Sequence, residues 1–596
     1  MASGGMDPVL QSTIEIENKQ YTVTLTNSVI YWDNARSSGA YNGQSSESVS
    51  KPNTNDSPEQ KNTSEHFQKC HLGGVFSLLK TCCGGNQGHD IHLIDLRDVI
   101  TVTSEKKRSG RARETRGLEL MSLNSTCTTF IVYIIRRITK HRWRDRKILF
   151  QCRDAKTCQL WVSKIQDCLF APEYNRPRKL LVFVNPHGGL RKGQKIYAEK
   201  VAPLLELAAV STEVVVTKRA NHARDMLLEC NLKHYDGVVC VGGDGMFSEL
   251  LHGLLLRKRM DLGLMENGPR NQQYCPDIRI GIIPAGSTDT VSHCCHGYND
   301  PITSALHIIL GDSRGIDVFS VHQGNQFLRY GATLMGYGFY GDIIKESEDL
   351  RWMGPKRYDY LGVKNFCRNK LYEGEVSFLP SSNMKDSHPR DGTRCHAGCE
   401  VCHEASQLHR EKEGADSGSE SMGNWRRIRG RFVSVNAYNM SCRCAKSPDG
   451  ATPSGHLGDG YADLVLTSNC SRVNFLRHLM RTAKKDSDQF DFNFIQVHRV
   501  KEFKFKPLIE DMEEQVSESS NDGEQRLRRS STHNSVWNCD GECLDQASVH
   551  VKVHCQLIKL FCRGIEEEVK EDCASLCVST CGRTKDRFSF SRSYVI

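Results

Sequence analysis

Apolar positions change their period along this chain, and the changes divide it. Between residues 11 and 33 they alternate, as in Ile14-Glu15-Ile16, Tyr21 to Leu25 and Val29 to Trp32, which predicts short strands. Residues 36–66 carry Ser, Asn and Gly with almost no large apolar group, so an insert without a fixed fold is expected there. Strand signals return at Ile91 to Thr103, Thr128 to Ile135 and Lys147 to Cys152. From Asp154 to Phe170 the residues Leu160, Trp161, Ile165 and Leu169 recur at helical spacing. Residues 10–170 thus read as a β-rich module closed by one helix.

After the linker 171–178 the period switches. Apolar runs at Lys179 to Val184, Thr212 to Val216, Tyr235 to Val241 and Ile278 to Ile283 alternate with helical stretches such as Ile196 to Leu207. Alternation of this kind predicts an α/β unit over 178–316, with a parallel sheet covered on both faces. From about Asp317 strands dominate again: Phe327 to Leu334, Glu373 to Phe378, Arg431 to Asn436, Asp463 to Leu466 and Val551 to Leu557. A β-rich second unit, an antiparallel sandwich over 317–564, is expected. Polar inserts at 379–424 and 510–534 interrupt it, and a disordered tail (565–596) follows.

The chemistry gathers where the parallel strands end. Four loops follow four predicted strands: Asn185-Pro186-His187-Gly188-Gly189, Thr217 to Asn221, Gly242-Gly243-Asp244-Gly245 and Pro284 to Asp289. Ligands of open parallel sheets sit at the carboxyl ends of strands, and glycines there permit close backbone approach to a phosphate. Asp244 repels phosphate, so its role is either on a hydroxyl proton or a metal, or simply as a helix cap.

Composition narrows the partners. In 596 residues, 79 basic against 71 acidic side chains leave a net charge of +8, a mild excess that fits an anionic surface without requiring one. No nucleic-acid-binding motif appears, so none is expected as partner. No apolar run is long enough for a transmembrane helix and no signal-peptide pattern opens the chain, so a cytoplasmic protein, peripheral on membranes, is expected. The 26 cysteines then read as reduced thiols. Arg136 to Lys147, which contains Trp143, suits an anionic or inositol lipid surface, or is a solvated basic loop or a nuclear-import-like run. Cys395, Cys399 and Cys402 have a spacing open to zinc, to reversible thiol chemistry, or to neither. Phe475 to Lys485 is a basic amphipathic helix, read either as a calmodulin target or as a packed surface helix.

The order NPHGG, TKRAN, GGDGM, PAGSTD, GYGFYGD, LGDG and DGE resembles the diacylglycerol, sphingosine and ceramide lipid kinase family, and most of all its ceramide kinase branch. The N-terminal strands closed by a Trp-bearing helix look like a pleckstrin-homology domain. The resemblance implies transfer of the ATP γ-phosphoryl group to the primary hydroxyl of ceramide, with Mg²⁺ on the phosphates and Ca²⁺ as a candidate activator. Alternatives are a diacylglycerol or sphingoid-base kinase, or a catalytically silent lipid-binding relative.

Carried over residue by residue, the resemblance makes Asp244 the proton acceptor and places Gly242, Gly243, Asp244 and Gly245 on the substrate side. It assigns to the nucleotide Asn185, Pro186, His187, Thr217, Lys218, Arg219, Ala220, Asn221, Glu249, Gly286, Ser287, Thr288, Arg351, Arg357, Asp540, Gly541 and Glu542. Golgi and plasma membranes are the implied locations. Two departures matter. Met246 replaces the family's Thr, and Ile344 stands where sphingosine-specific members carry Asp, which favours a neutral amide lipid.

Overall fold

The computed structural model describes residues 8–34, 92–104, 127–139, 141–189, 191–264, 266–381, 393–413, 424–508 and 534–567. The expected insert at 36–66 and nearly all of 510–534 and 565–596 lie outside the described residues. No described helix is long and apolar enough to cross a membrane.

The first unit is a seven-stranded antiparallel sheet of β1 (Leu10–Ile16), β2 (Lys19–Leu25), β3 (Val29–Asn34), β4 (His92–Asp95), β5 (Val99–Ser104), β6 (Thr129–Thr139) and β7 (Arg142–Gln151), in the order β4-β3-β2-β1-β7-β6-β5. Helix α1 (Ala155–Leu169) closes it, started by the Asp154 carboxylate, which accepts from Thr157 N at 2.9 Å. Its buried stripe is Cys158, Trp161, Ile165 and Leu169; Leu160, expected on that face, is exposed instead. Trp161 stacks on Phe130 and donates its indole N–H to Ser12 Oγ at 3.2 Å, so the one polar atom of this large buried ring is satisfied.

Four parallel strands follow, β8 (Lys179–Val184), β9 (Ser211–Val216), β10 (Gly237–Gly242) and β11 (Arg279–Pro284), ordered β11-β10-β8-β9. Helices α4 (His222–Glu229) and α5 (Asp244–Asp261) pack on one face, through Leu227, Leu250 and Leu254 against Phe183 and Cys240. The other face is covered by α3 (Ala202–Leu207) and α7 (Pro301–Leu310), which bury Leu205, Leu306 and Ile309 against Leu180, Val182 and Val184. Short α2 (Gly193–Ile196) precedes α3, and α6 (Thr290–His296) precedes α7.

The expected separation from a β-rich second unit is corrected by the strand pairing. Strands β12 (Ser313–Gln323), β13 (Gln326–Gly331), β14 (Leu334–Gly338), β15 (Tyr372–Pro380), β16 (Arg426–Tyr438), β17 (Ala462–Ser468), β18 (Ile495–Pro507), β19 (Trp537–Cys539), β20 (Glu542–Leu544) and β21 (Val549–Phe561) continue the same 14-stranded sheet. The joint is β21. Along one edge it pairs with β12 from His550 to Phe561; along the other its first part pairs with β18 and its end runs parallel to β11, with Arg279 opposite Lys559. Thirteen residues are long enough to serve both neighbours, so one strand bridges the two halves. Helices α8 (Phe339–Ser347), α9 (Lys356–Arg368) and α11 (Arg472–Ala483) gather around Leu361 and Phe475. Helix α10 (Glu400–Glu413) lies inside the stretch expected to be a polar insert.

A second correction concerns the basic strand pair β6–β7. Trp143 is 1% exposed, stacked on His307 at 3.9 Å between ring centres, with its backbone N donating to Thr303 Oγ1 at 3.0 Å. Arg144 makes a forked pair with Asp300, at 2.6 and 3.0 Å. Arg137 bridges Asp98 and Glu566, while Arg563 bridges Asp98 and Asp312. Ile131, Tyr133 and Ile135 share one apolar cluster with Val182 and Leu306. Part of the cationic segment read as a lipid-binding surface therefore cements the first unit to the α/β unit. An aromatic ring flanked by cations satisfies a buried acidic interface as well as it does a headgroup.

Candidate active site

Main-chain bonds bring the four predicted loops to one sheet edge. Thr217 N donates to Val184 O at 2.9 Å, Asn185 N to Val241 O at 3.0 Å and Ala285 N to Gly242 O at 3.0 Å. The loops then touch through their glycines. A Cβ on Gly286 would lie 2.5 Å from Gly243 Cα, and one on Gly189 (φ +55°) would lie 2.6 Å from Ala285 O. Only glycine permits this approach, and it leaves a bare backbone cradle whose rim residues His187, Lys218, Arg219, Asn221, Ser287 and Thr288 face solvent.

Asp244 begins α5 and reaches across to α6. Its carboxylate accepts from Thr290 N at 3.0 Å and from Val291 N at 3.1 Å. The capping alternative is thus realised, but on the neighbouring helix. Each oxygen keeps a second lone pair, and the side chain retains an opening to solvent although protein crowds the carboxyl. Burial pushes its pKa up to about 6; the two amides pull it down, and the charges of Asp289 and Asp540 push it further up.

The surroundings hold this acid in place. Asp289 accepts from Gly286 N at 2.9 Å and from Asn299 Nδ2 at 3.0 Å, which fixes the loop it terminates. Glu249, one turn into α5, accepts from Ala223 N at 3.3 Å and ties the Thr217–Asn221 loop to the same helix. Met246 points down, 3% exposed, into the core under the loop. The hydroxyl missing at this position is therefore missing from the protein interior rather than from the cradle.

Asp540 sits opposite, on the β19–β20 turn. Its carboxylate accepts from Ala332 N at 2.7 Å, Thr333 N at 3.0 Å, Leu334 N at 3.1 Å and the Thr333 hydroxyl. It is a staple for the turn between β13 and β14, with its field reaching Asp244. Gly541 (φ +88°) turns the chain so that Glu542 is exposed. Arg351 pairs with Glu348, and Arg357 donates to Tyr358 OH at 2.7 Å; both partners lie on the arginines' own α8–α9 segment.

Two residues here escaped the sequence reading. His252, two turns along α5, donates from Nδ1 to Ser248 O at 2.7 Å and accepts at Nε2 from Tyr330 N at 3.0 Å. Burial pushes it down to about 4, so the ring is a neutral clamp between α5 and β13. Arg329 on β13 donates to Ser248 Oγ at 3.2 Å, which puts a guanidinium beside the acid-bearing helix. A lone cation inside the strand Gln326–Gly331 was the available signal.

The residues fit a nucleotide triphosphate, since the glycine cradle admits a phosphate chain that any side chain would block. They do not form an all-carboxylate cation cage. Asp289 takes one donor on each oxygen, as Asp244 does, and Asp540 takes three on Oδ1 and one on Oδ2. Among the described residues, the one group of three or more metal-capable side chains is Cys395, Cys399, Cys402 and His456.

Comparison with known proteins agrees in order and extent. The family described as Diacylglycerol kinase catalytic domain matches residues 179–321, Ceramide kinase C-terminal domain matches 333–580, and Ceramide kinase PH domain matches 80–165. The ceramide kinase of Homo sapiens is 47% identical over 456 residues, spanning 74% of this chain and 84% of that protein. The ceramide kinase of Arabidopsis thaliana is 34% identical over 511 residues, 71% of this chain and 79% of its own length. A Homo sapiens protein named ceramide kinase-like protein is 29% identical over 504 residues, 80% and 83% of the two chains.

Proposed function

The chain belongs to the ceramide kinase family, lipid kinases that act on ceramide, and from that premise we propose how its cleft carries out the transfer. Asp244 takes the proton of the ceramide primary hydroxyl as that oxygen forms its bond to the terminal phosphorus of ATP and the bond to ADP breaks. When bound, ATP with Mg²⁺ supplies the phosphoryl group and neutralises its charge. The protein aligns and shields. The observation that carries this reading is the Asp244 carboxylate, clamped by two amides at the seam of the Gly243 and Gly286 loops and poised near pH 6.

We assign the sides of the cleft as follows. Asn185 to His187, Thr217 to Asn221 and Gly286 to Thr288 face the nucleotide, and Glu249 fixes the second of these loops. Gly242 to Gly245 lie toward the lipid hydroxyl. Arg351 and Arg357 are assigned to the γ-phosphate, and Glu542, exposed on the β19–β20 turn, to ribose or metal-bound water; Asp540 ties that turn to residues 332–334. Arg329 is a further arginine we place toward the transferred group. At the specificity position Ile344 is half-buried on α8, and Asp342 nearby is engaged by Tyr372 OH and Ser535 Oγ. A cationic sphingoid amine finds Asp342 already engaged by two hydroxyls and no carboxylate at position 344, whereas an amide needs none.

Membrane contact through the first unit then falls to the cations left outside the interface, Arg136 and Lys147, with Ile138 exposed beside them. The calmodulin reading of 475–485 requires α11 to leave its site, because Phe475 and His478 are buried there while Leu476 and Met480 face out.

The test is labelled ATP with ceramide, sphingosine and diacylglycerol in mixed micelles, on the native chain and Asp244→Asn. Label on ceramide alone, lost in the variant while ATP still binds, supports the assignment. Label on another lipid sinks the substrate reading. Undiminished transfer by Asp244→Asn sinks the base.

A further inference from the structure

Away from the cleft, four side chains from two distant segments of sequence converge. Cys395 and Cys399 lie before α10, Cys402 lies in its first turn, and His456 lies in the loop between β16 and β17. Their four donor atoms all fall within 4.8 Å of one another. Cys395 Sγ is 3.7 Å from Cys402 Sγ, and Cys399 Sγ is 3.3 Å from His456 Nδ1. Bonds of about 2.3 Å to sulfur and about 2.0 Å to nitrogen at tetrahedral angles put ligand atoms roughly 3.5–3.8 Å apart. The sulfur–sulfur separation of 3.7 Å falls in that range, and the sulfur–nitrogen separation of 3.3 Å lies just below it. A disulfide would need about 2.05 Å between sulfurs, and all three cysteines are free thiols.

We propose that Cys395, Cys399, Cys402 and His456 bind a structural zinc ion. Three soft thiolates and one imidazole select zinc over the hard cation of the phosphoryl transfer, and four protein ligands leave no position for substrate. The surroundings are those of a built site. Cys399, Cys402 and His456 are buried. Gln556 Nε2, from β21, donates to Cys402 O and to Gly458 O, both at 2.8 Å, and so locks the two ligand-bearing loops to each other. Asp317 of β12 accepts from Gly460 N at 2.6 Å and from Gln556 N at 2.7 Å, fixing the His456 loop to the same strand pair. Arg314 donates to His396 O and lies in the field of Cys395, Cys402 and Cys399. Zinc with three thiolates carries one net negative charge, which that buried guanidinium offsets.

The ion's work follows from what it joins. It pins α10 and the loop before it to β12 and β21, and β21 is the strand that bridges the two halves of the large sheet. Zinc loss is expected to loosen that joint.

The experiment is metal analysis of the purified full chain, with cobalt exchange as a spectroscopic probe, on the native protein and on Cys399→Ser, His456→Ala and His456→Cys. Stoichiometric zinc, a cobalt form with the intense visible bands of tetrahedral thiolate ligation, loss of both in Cys399→Ser and His456→Ala, and their retention in His456→Cys are expected. A folded native chain without zinc that yields no such cobalt spectrum overturns the proposal. So does a disulfide among the three cysteines, or a His456→Ala chain that holds zinc as tightly as the native one. Where a variant fails to fold, the native spectrum and the His456→Cys chain decide, and neither depends on kinase activity.

Discussion

Asp244 shows how one side chain serves structure and chemistry together. Two backbone donors keep its carboxylate oriented, while burial outweighs them and sets its pKa near 6. An acid must be ionised to take a proton, so kcat/KM should fall as pH drops through about 6, along a limb that Asp244→Asn removes; a pH–rate profile of both chains checks it. Met246→Thr, which restores the family's residue, should cost about 2 kcal/mol in chemical denaturation and gain nothing in rate, because the side chain lies in the core. Asp244 was legible from a strand, two glycines and an acid. Asp540 was legible as a position but not in its role, since three amides 200 residues upstream decide that role. His252 was invisible because its partner Tyr330 comes from a distant strand, and Arg329 offered only a lone cation within a strand, its partner Ser248 lying 81 residues upstream on α5.

At the level of elements, the parallel strands and the loops at their ends were readable because buried strands are apolar throughout and glycine marks each turn. The loops' mutual contact was not readable. Gly286→Ala should lower turnover by roughly a hundredfold with little change in global stability, since a Cβ there meets Gly243 backbone and shifts the seam by about an ångström; steady-state kinetics beside a thermal melt would separate the two effects. Helix α1 was placed to within a residue of each end, yet Leu160 proved exposed, because α1 buries only the narrow stripe Cys158, Trp161, Ile165 and Leu169, and Leu160 sits about 100° round from Trp161. The strand β18 was missed although Phe503-Lys504-Phe505-Lys506 carries the period of two, and the helix α10 was missed because a polar segment beside cysteines carries little apolar signal.

For the whole molecule, the consequential feature is that the first unit is not tethered loosely but shares a core with the α/β unit. Trp143→Ala should destabilise that contact by about 3 kcal/mol and expose the 171–178 linker to protease before the rest of the chain unfolds. Burial raises the Asp98 and Asp300 pKa values, but Arg137 and Arg563 in the one case and Arg144 in the other outweigh it, so both carboxyls are held below their usual range. Their contribution is therefore complete above the unfolded value near 4 and is lost as pH falls through the lower folded values. The interface should persist at pH 5 and open only in stronger acid, which tryptophan fluorescence across a pH titration would report.

The sequence by itself determined the local facts: where strands and helices alternate, where glycines free the backbone, which acid stands at the helix start, and the family these motifs resemble. Each depends on neighbours along the chain. Tertiary structure decided what the distant pairs do: β21 joining two expected sheets into one, Trp143 turned from solvent to an interface, Asp540 made a staple, and His456 brought to three cysteines. For the last three the physical reason is the same. A polar or aromatic side chain is neutral about its partner until folding places one within a few ångströms, and no period in the sequence records that distance.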